Sequence, residues 1–102
     1  MGIKLYLVDQ PPEDMDDWRP GMMWPSELHG PSGSGYSVVL CRHEDKAGVD
    51  WPIIWHTRSS ADQDGQPMWN VTGTPPEITV TPSINVIGYW HGWIRNGELL
   101  DA

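Results

Sequence analysis

Gly88-Tyr-Trp-His-Gly-Trp-Ile-Arg-Asn-Gly-Glu-Leu-Leu-Asp-Ala102 is the stretch that decides the fold class. Asn96-Gly97 lies between two apolar runs, and both central residues of a type I′ turn need a positive φ, which Asn and Gly tolerate best. A two-residue loop also fixes the register. Arg95 falls opposite Glu98, Ile94 opposite Leu99 and Trp93 opposite Leu100. Because side chains alternate along a strand, Trp90, Gly92, Ile94 and Leu99 share one face, while His91, Trp93, Arg95, Glu98 and Leu100 share the other. The first face reads as core. The second carries an imidazole, an indole and a guanidinium in a row, and reads either as a polar outer face or as a site.

Working outward from this hairpin, the pattern stays that of short strands. Ile3, Leu5 and Leu7 alternate with Lys4, Tyr6 and Val8, a first strand that Asp9-Gln-Pro-Pro12 ends. Five acids fall between Asp9 and Asp17, which reads as a solvated loop or a short helix with acids at its N-terminal end. Residues 18 to 35 hold enough Gly and Pro to predict a long irregular segment anchored by Trp18, Met22, Met23 and Trp24, with one helical turn over Ser26 to His29 and a flexible tip from Gly30 to Gly35. Tyr36 to Cys41 predicts a central strand, and Arg42 to Asp50 a charged turn. Trp51 to Thr57 predicts a strand that Pro52 places at an edge or a strand start. A polar loop follows from Ser59 to Pro67. Trp69 and Val71 start a short strand, and Ile78 with Val80 belong to the next, which Pro82 closes. With no stretch of helical periodicity, residues 1–102 read as a single β-rich domain. It is all-β or β-dominated, a small barrel or a two-layer sandwich ending in the type I′ hairpin.

Composition narrows the partners. At 102 residues the chain can bury one core but not two. Seven Trp and no Phe make that core tryptophan-rich, and each indole N–H needs a partner, so some rings are expected at wet edges or against a ligand. The formal charge of -8 opposes approach to DNA, RNA or an anionic membrane, so neither nucleic acid nor membrane is an expected partner. Cys41 is the only cysteine, which rules out an internal disulfide and suits a reducing cytoplasm. No run approaches the roughly 20 apolar residues of a membrane-spanning helix. An exposed sheet edge with little Lys to protect it also makes an edge-to-edge homodimer an option.

One part of the sequence is familiar. Val71-Thr-Gly73, Pro76-Glu-Ile-Thr-Val-Thr-Pro-Ser-Ile84 and the His91-Gly-Trp-Ile-Arg-Asn-Gly97 hairpin together resemble a family of short, uncharacterised tailed-phage and prophage proteins, with a weaker echo at Met23-Trp-Pro25 and Arg58-Ser-Ser60. Members often carry the label "ammonia monooxygenase". That chemistry belongs to membrane-embedded copper enzymes, and no stretch of this chain reads as a span. The resemblance implies a bacteriophage origin, the cytoplasm of the bacterial host as the place of action, and a histidine of a metal site at His91.

Three chemistries compete for the polar residues. Cys41, His43, His56 and His91 make four ligands of the types zinc accepts, although their spacing matches no established zinc signature. No cofactor is required otherwise. Nucleophilic catalysis would need Cys41 or a serine beside a base, with Cys41 and either His56 or His91 as the pairs considered. Binding is the better motivated reading: His91, Trp93 and Arg95, with Trp55, could stack a flat ring and hold an anionic group, unless Arg95 simply pairs with Glu98 and Trp93 packs on Leu100. The leading expectation is therefore a non-enzymatic accessory protein of a phage that binds a host protein or sequesters a small nucleotide-like signal, as an anti-defence device. The alternative is a zinc-binding protein with hydrolytic or regulatory activity.

Overall fold

The computed structural model describes residues 2–26, 35–57 and 70–102. Among them the strands are β1 (Ile3–Lys4), β2 (Tyr6–Leu7), β3 (Met22–Ser26), β4 (Gly35–Glu44), β5 (Asp50–His56), β6 (Asn70–Thr74), β7 (Glu77–Val86), β8 (Trp90–Arg95) and β9 (Glu98–Asp101). They form one sheet of order β1-β9-β8-β7-β6 and a second of order β2-β3-β4-β5. The two-layer sandwich is thus the form adopted, and the barrel does not close.

The hairpin follows its sequence closely. Asn96 and Gly97 have φ of 48° and 77°, and the rungs are Arg95↔Glu98, Ile94↔Leu99 and Trp93↔Leu100. A side chain at Gly97 would be strained twice, by the positive φ and by a Cβ 2.9 Å from the Pro76 carbonyl oxygen. The turn is also knitted into the fold: Gly97 N–H donates to the Ile78 carbonyl at 2.9 Å, and the Gly97 carbonyl accepts from Leu5 N–H at 2.7 Å. Gly92 serves packing rather than a ligand, because a Cβ there would strike the Leu100 carbonyl and the Trp90 indole.

One apolar cluster joins the two layers. Ile78, Val80, Ile84, Trp90, Ile94 and Leu99 come from the larger sheet, and Met23, Val38, Leu40 and Trp55 from the smaller one. Leu5 completes it. The alternating first strand is in fact two: β1 pairs antiparallel with β9, and β2 pairs parallel with β3. Leu5, between them, is buried, whereas Ile3 and Leu7 are 45% and 43% exposed. The chain therefore crosses from one sheet to the other at Leu5, which explains why its neighbours in the alternation stay outside.

Other expectations need adjustment. The acidic run forms a 3-10 turn over Met15–Asp17, with Asp14 accepting from Asp16 N–H as its N-cap. Within the segment expected to be irregular, Met22 to Ser26 instead form β3. Its Pro25 lies beyond the rungs to β2, where the missing N–H costs no ladder bond. On the far side of that sheet, Met22, Trp24 and Val39 make a second small cluster with Trp18, whose ring meets Trp24 edge-on at 4.8 Å. The expected turn at Ser26 to His29, the tip from Gly30 and the loop from Ser59 to Pro67 lie largely outside the described residues. The largest difference concerns Pro82, which does not end its strand: β7 runs through it to Val86.

Ile94 is wholly inaccessible to solvent at the centre of this arrangement. Truncation by Ile94→Ala is expected to destabilise the fold by about 2–5 kcal/mol, read as a lowered urea midpoint with unchanged slope.

Candidate active site

The outer face of the larger sheet is shaped by a break in the ladder between β7 and β8. Its rungs are Val80↔Ile94, then Ile84↔Gly92, Asn85↔His91 and Val86↔Trp90. Between the first two, β7 advances four residues while β8 advances two, so Thr81, Pro82 and Ser83 form a bulge. The Thr81–Pro82 peptide is cis. Pro82 has no N–H to donate, and a bulge is where a long strand can accommodate it. Simple alternation from Val80 to Ile84 would turn Pro82 inward; the bulge leaves it exposed.

Ser83, half-buried beside it, reaches across to the next strand. Its Oγ lies 3.4 Å from His91 Nε2. A serine hydroxyl and an imidazole on neighbouring strands of a solvent-facing sheet form the minimal nucleophile–base pair for acyl transfer. The separation is longer than a relaxed hydrogen bond, as is common before substrate binds. Among the described residues no carboxylate bonds the His91 ring. The nearby acid at the end of the hairpin, Asp101, instead accepts from Trp90 Nε1 at 2.8 Å.

The row along β8 continues from this pair. The His91 and Trp93 rings are 6.0 Å apart at a 34° tilt. Arg95 lays its guanidinium over the Trp93 ring, 5.4 Å from the centroid. Although Arg95 and Glu98 are register partners, they form no ion pair, and the Glu98 carboxylate lies against Gly2. Trp55 does not join this face; it is 4% exposed and belongs to the core between the sheets.

A second serine–histidine contact competes for attention. Ser37 Oγ lies 2.8 Å from His56 Nδ1, across the β4–β5 rung. Ser37, however, is 1% exposed, so no substrate carbonyl can reach its hydroxyl. This contact fastens the strands, while the contact of half-buried Ser83 with exposed His91 lies at the surface.

The sulfur and the remaining imidazole sit elsewhere. Cys41 Sγ donates to the Tyr89 carbonyl at 3.8 Å. Burial first, and the charge of Asp101 second, push its thiol pKa above the ordinary value. His43 packs edge-on against Tyr89 and Trp51, with ring centroids 4.8 and 5.8 Å away. His56 is four residues along β4 from Cys41, on the Ser37 rung, roughly 13 Å at strand spacing. Among the described residues no three His, Cys, Asp or Glu side chains gather as a metal site. Of the four ligands expected from sequence, Cys41 and His43 stand two residues apart on β4 and both touch Tyr89, whereas His56 and His91 are not gathered with them. Neither His56 nor His91 is brought to Cys41 as a catalytic pair: each has a serine as its partner.

With the geometry described, family comparison adds the class of chemistry. The family model for BubE, described as the bacterial ubiquitination-like system serine protease, matches residues 10–100. The chain belongs to this family. Comparisons with curated proteins and with solved structures find no match. Membership in BubE overturns the resemblance to the phage family labelled "ammonia monooxygenase", and with it the bacteriophage origin, the anti-defence role and the non-enzymatic accessory function. The motif residues were informative even so. Pro82-Ser83-Ile84 and His91-Gly92 are the segments that carry the BubE chain's exposed serine–histidine pair. Sequence reasoning passed over Ser83 because Pro82 was taken as the end of the strand, which hid the pairing of its neighbour with β8.

The raised thiol pKa has a measurable consequence. Cys41 is expected to alkylate slowly with iodoacetamide at pH 8, and its rate is expected to go on rising with pH past the ordinary value of 9.0, where a free thiol levels off, since burial disfavours the reactive thiolate. Mass spectrometry of the modified protein against a free-thiol peptide checks this.

Proposed function

We propose that this chain is a serine protease in which Ser83 is the nucleophile and His91 the general base. The observation that carries the reading is the 3.4 Å contact between Ser83 Oγ and His91 Nε2 on the open face of the sheet, in a chain whose family is described as serine proteases. Ser83 Oγ attacks the carbonyl carbon of the scissile bond while its proton passes to His91 Nε2. The imidazolium then returns that proton to the leaving amine as the C–N bond breaks, leaving an ester on Ser83. Water, deprotonated by the same imidazole, hydrolyses the ester and restores the hydroxyl.

The family description also supports a reading of the substrate class. The acyl group belongs to a protein chain of a ubiquitination-like system, a protein modifier or its conjugate. This partner replaces the nucleotide-like ligand as the occupant of the outer face. Among the described residues no helix is long and apolar enough to cross a membrane. A single, partly buried thiol suits action in a reducing cytoplasm, where such conjugates are handled.

The test is direct. A fluorophosphonate probe is expected to label Ser83, and both labelling and cleavage of a modifier fusion are expected to fall by about 10³-fold or more in Ser83→Ala, with a comparable loss of cleavage in His91→Ala. Ser37→Ala is expected to cleave as the wild type does. Labelling that survives Ser83→Ala, or cleavage lost on Ser37→Ala in a folded protein, would place the nucleophile elsewhere.

A further inference from the structure

The row that leads away from His91 suggests what the protease selects. Of the three described arginines, Arg42 is held by both carboxylate oxygens of Asp50 at 3.1 Å and by the carbonyls of Met15 and Trp18. Arg19 bonds the carbonyls of Asp16 and Trp18. Arg95 makes no hydrogen bond or ion pair within the described residues, although Glu98 sits on the opposing rung. Instead its guanidinium sits over the Trp93 ring, 5.4 Å from the centroid, on an exposed residue. Stacking leaves the guanidinium's donor fork unoccupied and fixes its position, which lowers the cost of ordering it when a carboxylate binds.

Its position relative to the nucleophile sets where that carboxylate belongs. Ser83 lies between the rungs that reach Gly92 and Ile94, level with the middle of β8. Arg95 is therefore about two residues beyond it on the same outward face, roughly 7 Å along the strand. A substrate segment lying extended across this face would bring a side chain two to four residues from the scissile bond over the Trp93–Arg95 pair.

We infer that Trp93 and Arg95 form a specificity subsite that selects a substrate with an Asp or Glu two to four residues from the scissile bond. The inference rests on Ser83 and His91 being the catalytic pair. The chain's charge of -8 does not oppose it. At physiological ionic strength, charges on exposed groups farther than about 8 Å are largely screened, whereas a carboxylate on the guanidinium fork is in direct contact.

The test pairs peptides that differ only in Glu or Lys at each of the positions two to four residues to either side of the scissile bond. Two readouts are taken: kcat/KM for cleavage, and protection of Ser83 from fluorophosphonate labelling by the same peptides. Wild-type protein is expected to prefer the Glu member at one position, and Arg95→Glu is expected to shift the Glu-to-Lys ratio by about tenfold toward Lys, the reach of an exposed ion pair converted into a repulsion. Arg95→Lys keeps the charge and is expected to keep the sign of the preference. If labelling and cleavage depend on Ser83 but the ratio is the same in Arg95→Glu, the subsite is wrong and the catalytic pair stands. If Ser83→Ala leaves labelling and cleavage intact, both fall together.

Discussion

Burial of one face of the terminal hairpin is the constraint on which the rest of the structure depends. Ile94 and Leu99 are sealed against the opposite layer, and because pleated side chains alternate, closing that face obliges His91, Trp93 and Arg95 to point outward. A slip of one residue would drive a guanidinium and an imidazole into the core and cost several kcal/mol in desolvation alone, so the register is strongly held. Gly97 adds a second lock through its bonds to Leu5 and Ile78, which tie the turn to both the crossover and the start of β7. The position of His91 is thus a consequence of core packing several residues away.

The bulge in β7 acts on that frame. Without it, Pro82 would face inward opposite Gly92 and compete for space in the core. By advancing four residues against two, β7 expels the proline and holds Ser83 where its hydroxyl meets His91. Strand bulges often re-aim a single side chain in this way. Ser83 keeps the outward parity that regular alternation would also give it, so the bulge displaces Pro82 without turning Ser83 off the His91 face.

How much of this the sequence made legible follows from which forces are local. The hairpin, its register and its two faces were readable because a type I′ turn is specified by two adjacent residues and the faces by parity. The β-sandwich followed from punctuated short strands. The crossover at Leu5 was not readable, since alternation in Ile3 to Val8 is the same whether one sheet or two receives it; only the tertiary partner decides. β3 was hidden by Pro25 and by the prolines and glycines on either side of it, which weigh against strands locally, although Pro25 costs little where a neighbour is absent. Ser83 was hidden by the same reasoning applied to Pro82. Cys41 and the histidines drew attention by residue type, yet type says nothing about register, which keeps His43 near Cys41 and sets His56 on the Ser37 rung.

The contrast between the two serine–histidine contacts carries the functional argument one step further. The buried pair, Ser37 and His56, is the shorter at 2.8 Å, and the exposed pair, Ser83 and His91, the longer at 3.4 Å. Were hydrogen-bond length the criterion, the wrong serine would be chosen. A nucleophile must first be reachable, and an exposed imidazole shares its Nε2 with water until a substrate covers it. In the proposed reaction, the group that covers this pair is the substrate chain itself. Binding that excludes water from Ser83 and His91 also brings their proton transfer into line, so interactions made along Trp93 and Arg95 contribute to the rate of reaction as well as to affinity. On the proposed mechanism, a site of this construction favours chains that occupy the whole row over those that reach only the serine.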